Sequence, residues 1–280
     1  MNYTVALVIG QAVGFKCLKK ICEYKKIKIK YVISSDAKYN KAIKNFCKKE
    51  KIKFFKKNIK SNRKIFLKQS LRCDFLLSIY SNLILKENFL NLFKLGCYNF
   101  HPAILPYYPG INPISGMIYN GEKKIGVTLH KMTKKIDAGK IISLKKAAIS
   151  QNDNLFSCMK KIEKLTIIIL LNFLKTILKG KKFKEIKNDV SKRKKFPKKI
   201  PKKGVLNFNW TYKIFLKHFN AGYSDPYRSH WGKIFFIYKG KKKTIYNFVC
   251  AKKTTKPKLK KIYKNIFDIK LKNKTIRAET

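Results

Sequence analysis

An asparagine and a histidine stand two residues apart in the octapeptide NFHPAILP, at positions 99 and 101. Histidine occurs four times in the chain and proline eight times, so this short stretch gathers scarce residue types. At the end of a strand, residues two apart leave the same face. A carboxamide and an imidazole side by side suit acyl transfer. The amide NH₂ can donate to a developing oxyanion, and the imidazole can hold or move a proton near neutral pH. Pro102 and Pro106 stiffen the loop that follows. For the octapeptide alone, a buried histidine beside a turn-forming asparagine is the competing reading. Downstream, KKIDAGKII (134–142) puts Asp137 in a turn just before a strand, with Gly139 allowing unusual backbone angles. A carboxylate there could orient His101, raise its pKa or order a water between them. Simple turn chemistry is the alternative for Asp137 taken alone.

These residues need elements to carry them. YTVALVI (3–9) is a short apolar run followed by Gly10, Gly14 and a helical stretch from Ala12 to about Glu23. IKIKYVIS (27–34) alternates as a strand, 37–50 reads as a helix, KIKFF (51–55) as a strand and 63–70 as a helix. CDFLLSIY (73–80) and GCYNF (96–100) read as further strands. Such alternation predicts an α/β fold, a mostly parallel sheet wrapped by helices, whose ligands bind beyond the strands' carboxyl ends. NFHP lies at one of those ends. A helix after Pro113 to Tyr119, strands at 125–132 and 140–149, and a long helix to about Leu178 complete the series. Asn152 or Asp153 is expected to cap that last helix. The spacing in VIGQAVGF is G-x-x-x-G, so a dinucleotide fingerprint is not supported, and the two glycines are expected to serve a tight strand-to-helix turn.

Residues 1–180 are therefore expected to form the catalytic domain, 181–203 a lysine-dense linker with two prolines, and 204–280 a small C-terminal subdomain ending in a lysine-rich tail, from Lys253, that is at most partly ordered. Sixty-seven Lys and Arg against 14 Asp and Glu give a formal charge of +53. A field of that sign attracts polyanions. Lysine is nevertheless spread along nearly the whole chain among Ile, Phe and Asn, which also fits codon bias. The seven cysteines are scattered without a CxxC pair, so neither a zinc site nor a disulfide framework is indicated, and a reducing cytoplasmic setting is expected. MNYTVALVIG lacks a basic leader region, and LTIIILLNFL (165–174) is too short to span a bilayer, so no membrane association is expected.

Taken together, GCYNFHPAILPYYPGINPISGMIYNGEKKIGVTLHKMTKKIDAGKII (96–142) resembles the signature of the 10-formyltetrahydrofolate-dependent formyltransferases: N-x-H-x-S-L-L-P, then Y-x-G, N-G-E, G-V-T and D-x-G. The resemblance covers roughly residues 3–180 and implies the family's Rossmann-like catalytic domain. Ala103 and Ile104 depart from its serine and leucine, and Lys140 replaces an acid that many members carry. The resemblance implies that Asn99, His101 and Asp137 are the catalytic trio, with 10-formyltetrahydrofolate as co-substrate and no metal. An acceptor amine would attack the formyl carbon, Asn99 and protonated His101 would stabilise the oxyanion, and Asp137 would support the histidine and help relay the amine proton. It also implies that Ser78, Ile79, Tyr80, Ser81, Asn82, Leu83 and Ile84 line the pterin pocket, with Leu105 and Pro106 bordering the folate from the other side.

GVTLHKM, with His130, is closer to the sugar-nucleotide formyltransferases than to the G-V-T-I-M-x-M of the methionyl-tRNA branch. PKKGVLNFNW…HFNAGYSDPY, with Trp210, resembles the same branch, although Asn220 replaces an arginine that often precedes its D-P segment. The expected acceptor is an anionic small-molecule amine, a nucleotide-linked amino sugar, with tRNA as the alternative. A non-catalytic, basic nucleic-acid-binding protein is the third reading, and no RRM signature supports it. His130 is expected to be either a solvated strand residue or an acceptor contact, and His218 and His230 structural or exposed.

Overall fold

The computed structural model describes residues 2–56, 72–197, 201–222, 231–251, 259–263 and 265–280. β1 (Tyr3–Ile9) is apolar on both faces and sits in the middle of the sheet, where both faces are covered. Parallel β2 (Ile27–Ser34) and β4 (Phe75–Ile79) flank it, and β3 (Lys53–Lys56) extends the sheet beyond β2. On the other side come β5 (Cys97–His101), parallel to β4, then antiparallel β6 (Lys124–Lys131) and β7 (Ile141–Ala148). The strand order is therefore β3-β2-β1-β4-β5-β6-β7, a mostly parallel α/β sheet. The expected helix at 63–70 lies outside the described residues.

Alternation along each strand sends side chains to two cores. Ala6, Val8, Leu76 and Cys97 pack with Tyr31, Leu85, Leu90 and Phe93 on one face, next to the single-turn helix α3 (Glu87–Leu90). On the opposite face Phe75 and Tyr98 meet Phe173 of α5 (Leu155–Leu178) edge-on at 5.7 and 4.9 Å. That layer also holds α1 (Gln11–Cys22), whose Lys16 donates to Glu163 of α5 at 2.5 Å and whose Phe15 meets Phe46 of α2 (Asn40–Lys49) at 5.7 Å. Asn154, one residue past the expected caps, caps α5 by accepting from the Ser157 N–H at 3.0 Å. Asp153 instead holds the Ser157 hydroxyl and the Ser150 N–H.

Order within the sheet reverses between β1 and β4, because the chain runs outward through β2 and β3 before returning. A crevice opens at such a reversal, beyond the carboxyl ends of the strands. Here that end is closely built: the Gly10 N–H donates to the Ile79 carbonyl at 3.0 Å, and a Cβ on Gly10 would lie 2.3 Å from the Tyr80 carbonyl oxygen. Gly10 itself is extended (φ −138°), and Gln11 takes the left-handed angle of the turn (φ 57°). The glycine is thus needed for close approach more than for unusual dihedrals.

The chain forms two compact units that are discontinuous in sequence: residues 1–110, 126–147 and 161–194, and residues 111–125, 148–160 and 195–280. In the second unit, α4 (Pro113–Tyr119) packs with α6 (Tyr212–Gly222). A hairpin of β8 (Phe235–Tyr238) and β9 (Lys241–Thr244) precedes a four-stranded antiparallel sheet ordered β10 (Asn247–Cys250), β13 (Thr275–Glu279), β12 (Ile266–Lys270), β11 (Leu259–Tyr263). The lysine-rich end expected to be an at most partly ordered tail therefore supplies three strands. Phe267, Ile269, Ile276 and Ala278 alternate into a core with Trp210, Phe215 and Phe236, leaving the lysines outward. His218 is buried there against Trp210, with ring centroids 4.1 Å apart. His230 and the segment 223–230 lie outside the described residues.

Candidate active site

The antiparallel register of β5 and β6 builds most of the site. Asn99 lies opposite His130 and His101 opposite Thr128, so four polar residues share one face while Phe100 and Leu129 turn into the core. The G-V-T signature acquires a physical meaning from this pairing. A Cβ on Gly126 would fall 2.7 Å from the Lys145 carbonyl, Val127 fills the core, and Thr128 fastens the neighbouring loop. Its hydroxyl donates to the Ala103 carbonyl at 2.6 Å and accepts from the Leu105 N–H at 3.2 Å. The Leu105–Pro106 peptide bond is cis.

Asp137 arrives from the turn after β6 and reaches back over this face. Its Oδ1 accepts from Asn99 Nδ2 at 3.3 Å and lies 3.3 Å from His130 Nε2. Its Oδ2 accepts from the Gly110 N–H at 2.8 Å and lies 3.5 Å from His101 Nδ1. The structure thus brings Asn99, His101 and Asp137 together. The unusual backbone angle expected at Gly139 belongs to Asp137 itself, at φ 47°. Gly139 serves close approach instead: a Cβ there would lie 1.9 Å from the Lys131 carbonyl oxygen. Gly139→Ala is accordingly expected to destabilise the protein by about 3 kcal/mol, the upper end for overpacking, and to disable the site as the Asp137 turn is pushed away from Asn99 and His101. Thermal melting beside an activity assay checks both.

Hydrogen bonds fix the ring tautomers. His101 Nε2–H donates to the Tyr108 carbonyl at 2.8 Å, which leaves Nδ1 as the lone-pair atom facing Asp137. His130 Nδ1–H donates to the Lys131 carbonyl at 2.8 Å, so its Nε2 faces Asn99 Nδ2 at 3.2 Å as an acceptor. Burial pushes His101 below the ordinary imidazole range, and nearby Asp137 opposes this without reversing it. At rest the ring is therefore biased toward its neutral form. Burial also disfavours the Asp137 carboxylate, but His101 and His130 in their protonated forms, together with the Gly110 N–H, outweigh it and hold the group well below the usual carboxylate range. The cluster is a fixed negative charge beneath a neutral ring with a vacant acceptor, an arrangement that can take up one proton and stabilise it.

His130 is the member left open by the sequence; it is 1% exposed and neither solvated nor peripheral. Its signal was the alternation in GVTLHK, which puts residues 128 and 130 on one face. The residues expected to hold a pterin divide in two. Ser78, Ile79 and Leu105 are buried in the sheet and its adjoining loop. Tyr80, Ser81, Asn82, Leu83 and Ile84 continue past the β4 end, where Ile84 is 75% exposed, and Pro106 is half-buried. Among the described residues, no helix is long and apolar enough to cross a membrane.

A family model described as formyl transferase matches residues 4–174. The bifunctional polymyxin resistance protein ArnA of Wigglesworthia glossinidia brevipalpis is 39% identical over 156 residues, 56% of this chain and 24% of ArnA. A methionyl-tRNA formyltransferase of Thermotoga maritima is 37% identical over 112 residues, 40% of this chain and 36% of that protein. The matched region thus spans well under half the length of both relatives. The crystal structure of WlaRD, a sugar 3N-formyl transferase, in the presence of dTDP and 5-N-formyl-THF shares the fold over 100% of this chain and 98% of that one, with a TM-score of 0.68 and 19% identity. Because the family match covers more than half of the 280 residues and takes in the whole polar cluster, the chain belongs to the formyl transferase family.

Proposed function

We propose that this chain moves a formyl group from 10-formyltetrahydrofolate to the primary amine of a nucleotide-linked amino sugar. The observation that carries the transfer chemistry is the meeting of Asn99, His101 and Asp137 on the carboxyl end of β5. The reversal of strand order beside it, and the exposed apolar Ile84 beyond β4, support seating the folate against residues 79–84. Leu105 and Pro106 would close the other side.

In this reading the amine nitrogen attacks the formyl carbon, a C–N bond forms, and the bond from that carbon to folate N10 then breaks. Asn99 Nδ2 donates to the oxygen as it gains negative charge. Its two resting hydrogen bonds, at 3.2 and 3.3 Å, are longer than the usual ~2.9 Å and are readily exchanged for a stronger anionic acceptor. His101 takes the amine's proton on Nδ1, where Asp137 receives the imidazolium, and a proton returns to N10 as the folate leaves. Neutral His101 is the competent form, so activity is lost only when the pH falls through its lowered pKa. The acid limb of kcat/KM is therefore expected below pH 6.5, the unperturbed histidine value. A kcat/KM profile from pH 4.5 to 8 checks it, and a limb at or above 6.5 contradicts the assignment.

The acceptor choice rests on GVTLHKM and on the near-complete coverage of a sugar N-formyltransferase that was solved with dTDP. Methionyl-tRNA is the second reading, favoured by the Thermotoga relative and by the charge of +53. Purified protein given 10-formyltetrahydrofolate with UDP- and dTDP-linked amino sugars, and separately with initiator Met-tRNA, decides between them. Tetrahydrofolate release with a sugar nucleotide is expected. Release with the tRNA alone would overturn the acceptor.

A further inference from the structure

The lysine-dense stretch after α5, expected to be a linker, is packed onto the unit that holds the site. Phe183 stacks on Phe173 of α5 at 4.9 Å, and Ile186 exchanges two backbone hydrogen bonds with Ile141 at 2.8 Å each. Glu185 pairs with Lys131 at the end of β6 and with Lys140 at 3.0 Å. Asn188 is 7% exposed, and its Nδ2 donates to the carbonyls of Asp137 at 3.0 Å and Gly139 at 3.3 Å. Asp189 then accepts from the Ser191 N–H and hydroxyl, turning the chain through a short 3-10 turn, Val190–Lys192. Beyond the turn Arg193 donates to the Ile136 carbonyl, and the Lys194 carbonyl accepts from the Tyr108 N–H at 2.9 Å. Tyr108 is the residue whose own carbonyl holds His101.

We propose that residues 185–194 are a positioning strap for the site, and that Asn188 is the residue that sets the Asp137 turn. The proposal rests on the formyl-transfer reading for its kinetic readout only. Asp137 occupies a left-handed backbone conformation, uncommon for a non-glycine residue although Asp tolerates it better than most, and contacts on both sides of the turn help hold it there. One carboxamide bridging the carbonyls on either side of Ala138 supplies that constraint from behind. The Gly110 N–H supplies it from the front, by gripping the carboxylate. The strap also fixes Tyr108, so both partners of the proton-accepting pair are set by one segment. Asn188 has no place in the transfer itself and acts through Asp137.

Asn188→Leu keeps the number and branching of side-chain heavy atoms and removes both N–H donors without adding charge. It is expected to lower kcat about tenfold or more, since small displacements of reacting groups are costly, while KM for 10-formyltetrahydrofolate stays within about twofold. The Gly110 amide proton resonance is expected to move upfield, and to exchange faster, as the carboxylate leaves it. Asn188→Ser keeps one donor and should show a smaller change of the same kind, and it decides the matter if the leucine variant does not fold. Lys182→Ala, at an exposed position ahead of the strap, should match the wild type. Wild-type kcat and an unmoved Gly110 resonance in folded Asn188 variants would overturn the strap. A wild-type protein that transfers no formyl group would defeat the functional reading instead, and the Gly110 resonance would still decide the positioning role.

Discussion

Asp137→Asn is expected to slow formyl transfer about a thousandfold, within the range for loss of acid–base assistance, while leaving the protein folded. Asparagine is among the residues that best tolerate the left-handed backbone Asp137 adopts at φ 47°. Its carbonyl oxygen can still accept from Gly110 N–H, so the turn keeps its front anchor. What disappears is the charge facing His101 Nδ1 at 3.5 Å. Burial already drives that ring toward neutrality, and without the carboxylate only the hydrogen bond to the Tyr108 carbonyl still favours the imidazolium. The proton released by the attacking amine then has no stable resting place. Single-turnover rates read beside thermal melting check this, and a folded variant within tenfold of wild type would contradict it.

The second large effect is expected at Asn99. Asn99→Ala removes the half-buried, least enclosed member of the cluster and should cost about 3 kcal/mol of transition-state stabilisation, a hundredfold or more in rate. The donor is used only as negative charge develops, so kcat and kcat/KM should fall together with KM for the folate little changed. Asn99→Asp should be at least as damaging, because it places a second carboxylate against both the oxyanion and Asp137 Oδ1. Steady-state kinetics on both variants tests the assignment. A loss confined to KM would make Asn99 a ground-state contact.

The sheet was legible because its strands are apolar runs whose periodicity leaves little choice: β1 and β2 fall on the residues expected of them. The pairing of Asn99 with His101 was legible from spacing alone, since a strand end allows one projection for residues two apart. Other features carry no pattern of that kind. The strap from Glu185 to Lys194 is lysine-dense, and its contacts are one carboxylate, one buried amide, one guanidinium and backbone groups, which leave no hydrophobic period behind. His130 could have been placed by continuing the alternation from Thr128. Its role as a partner of both Asn99 and Asp137 needed the antiparallel register that only the folded sheet supplies. The left-handed residue in the Asp137 turn was expected at glycine, the ordinary choice. It falls on the aspartate, and the glycine at 139 is required instead because the Lys131 carbonyl leaves no room for a Cβ. The lysine-rich end hid three strands because they are short and separated by lysine-dense stretches such as 270–274, so the average looks like a tail.

The proposed transfer requires one arrangement: a folate donor lying across the carboxyl ends of β4 and β5 with its N10 edge at the polar cluster. A crystal structure of the chain soaked with 5-formyltetrahydrofolate measures this directly. The predicted result has the pterin against the backbone of residues 79–84, and N10 or its substituent within about 4 Å of Asn99 Nδ2, close to hydrogen-bonding range. A folate bound elsewhere, with Asn99, His101 and Asp137 facing no part of it, would contradict the account.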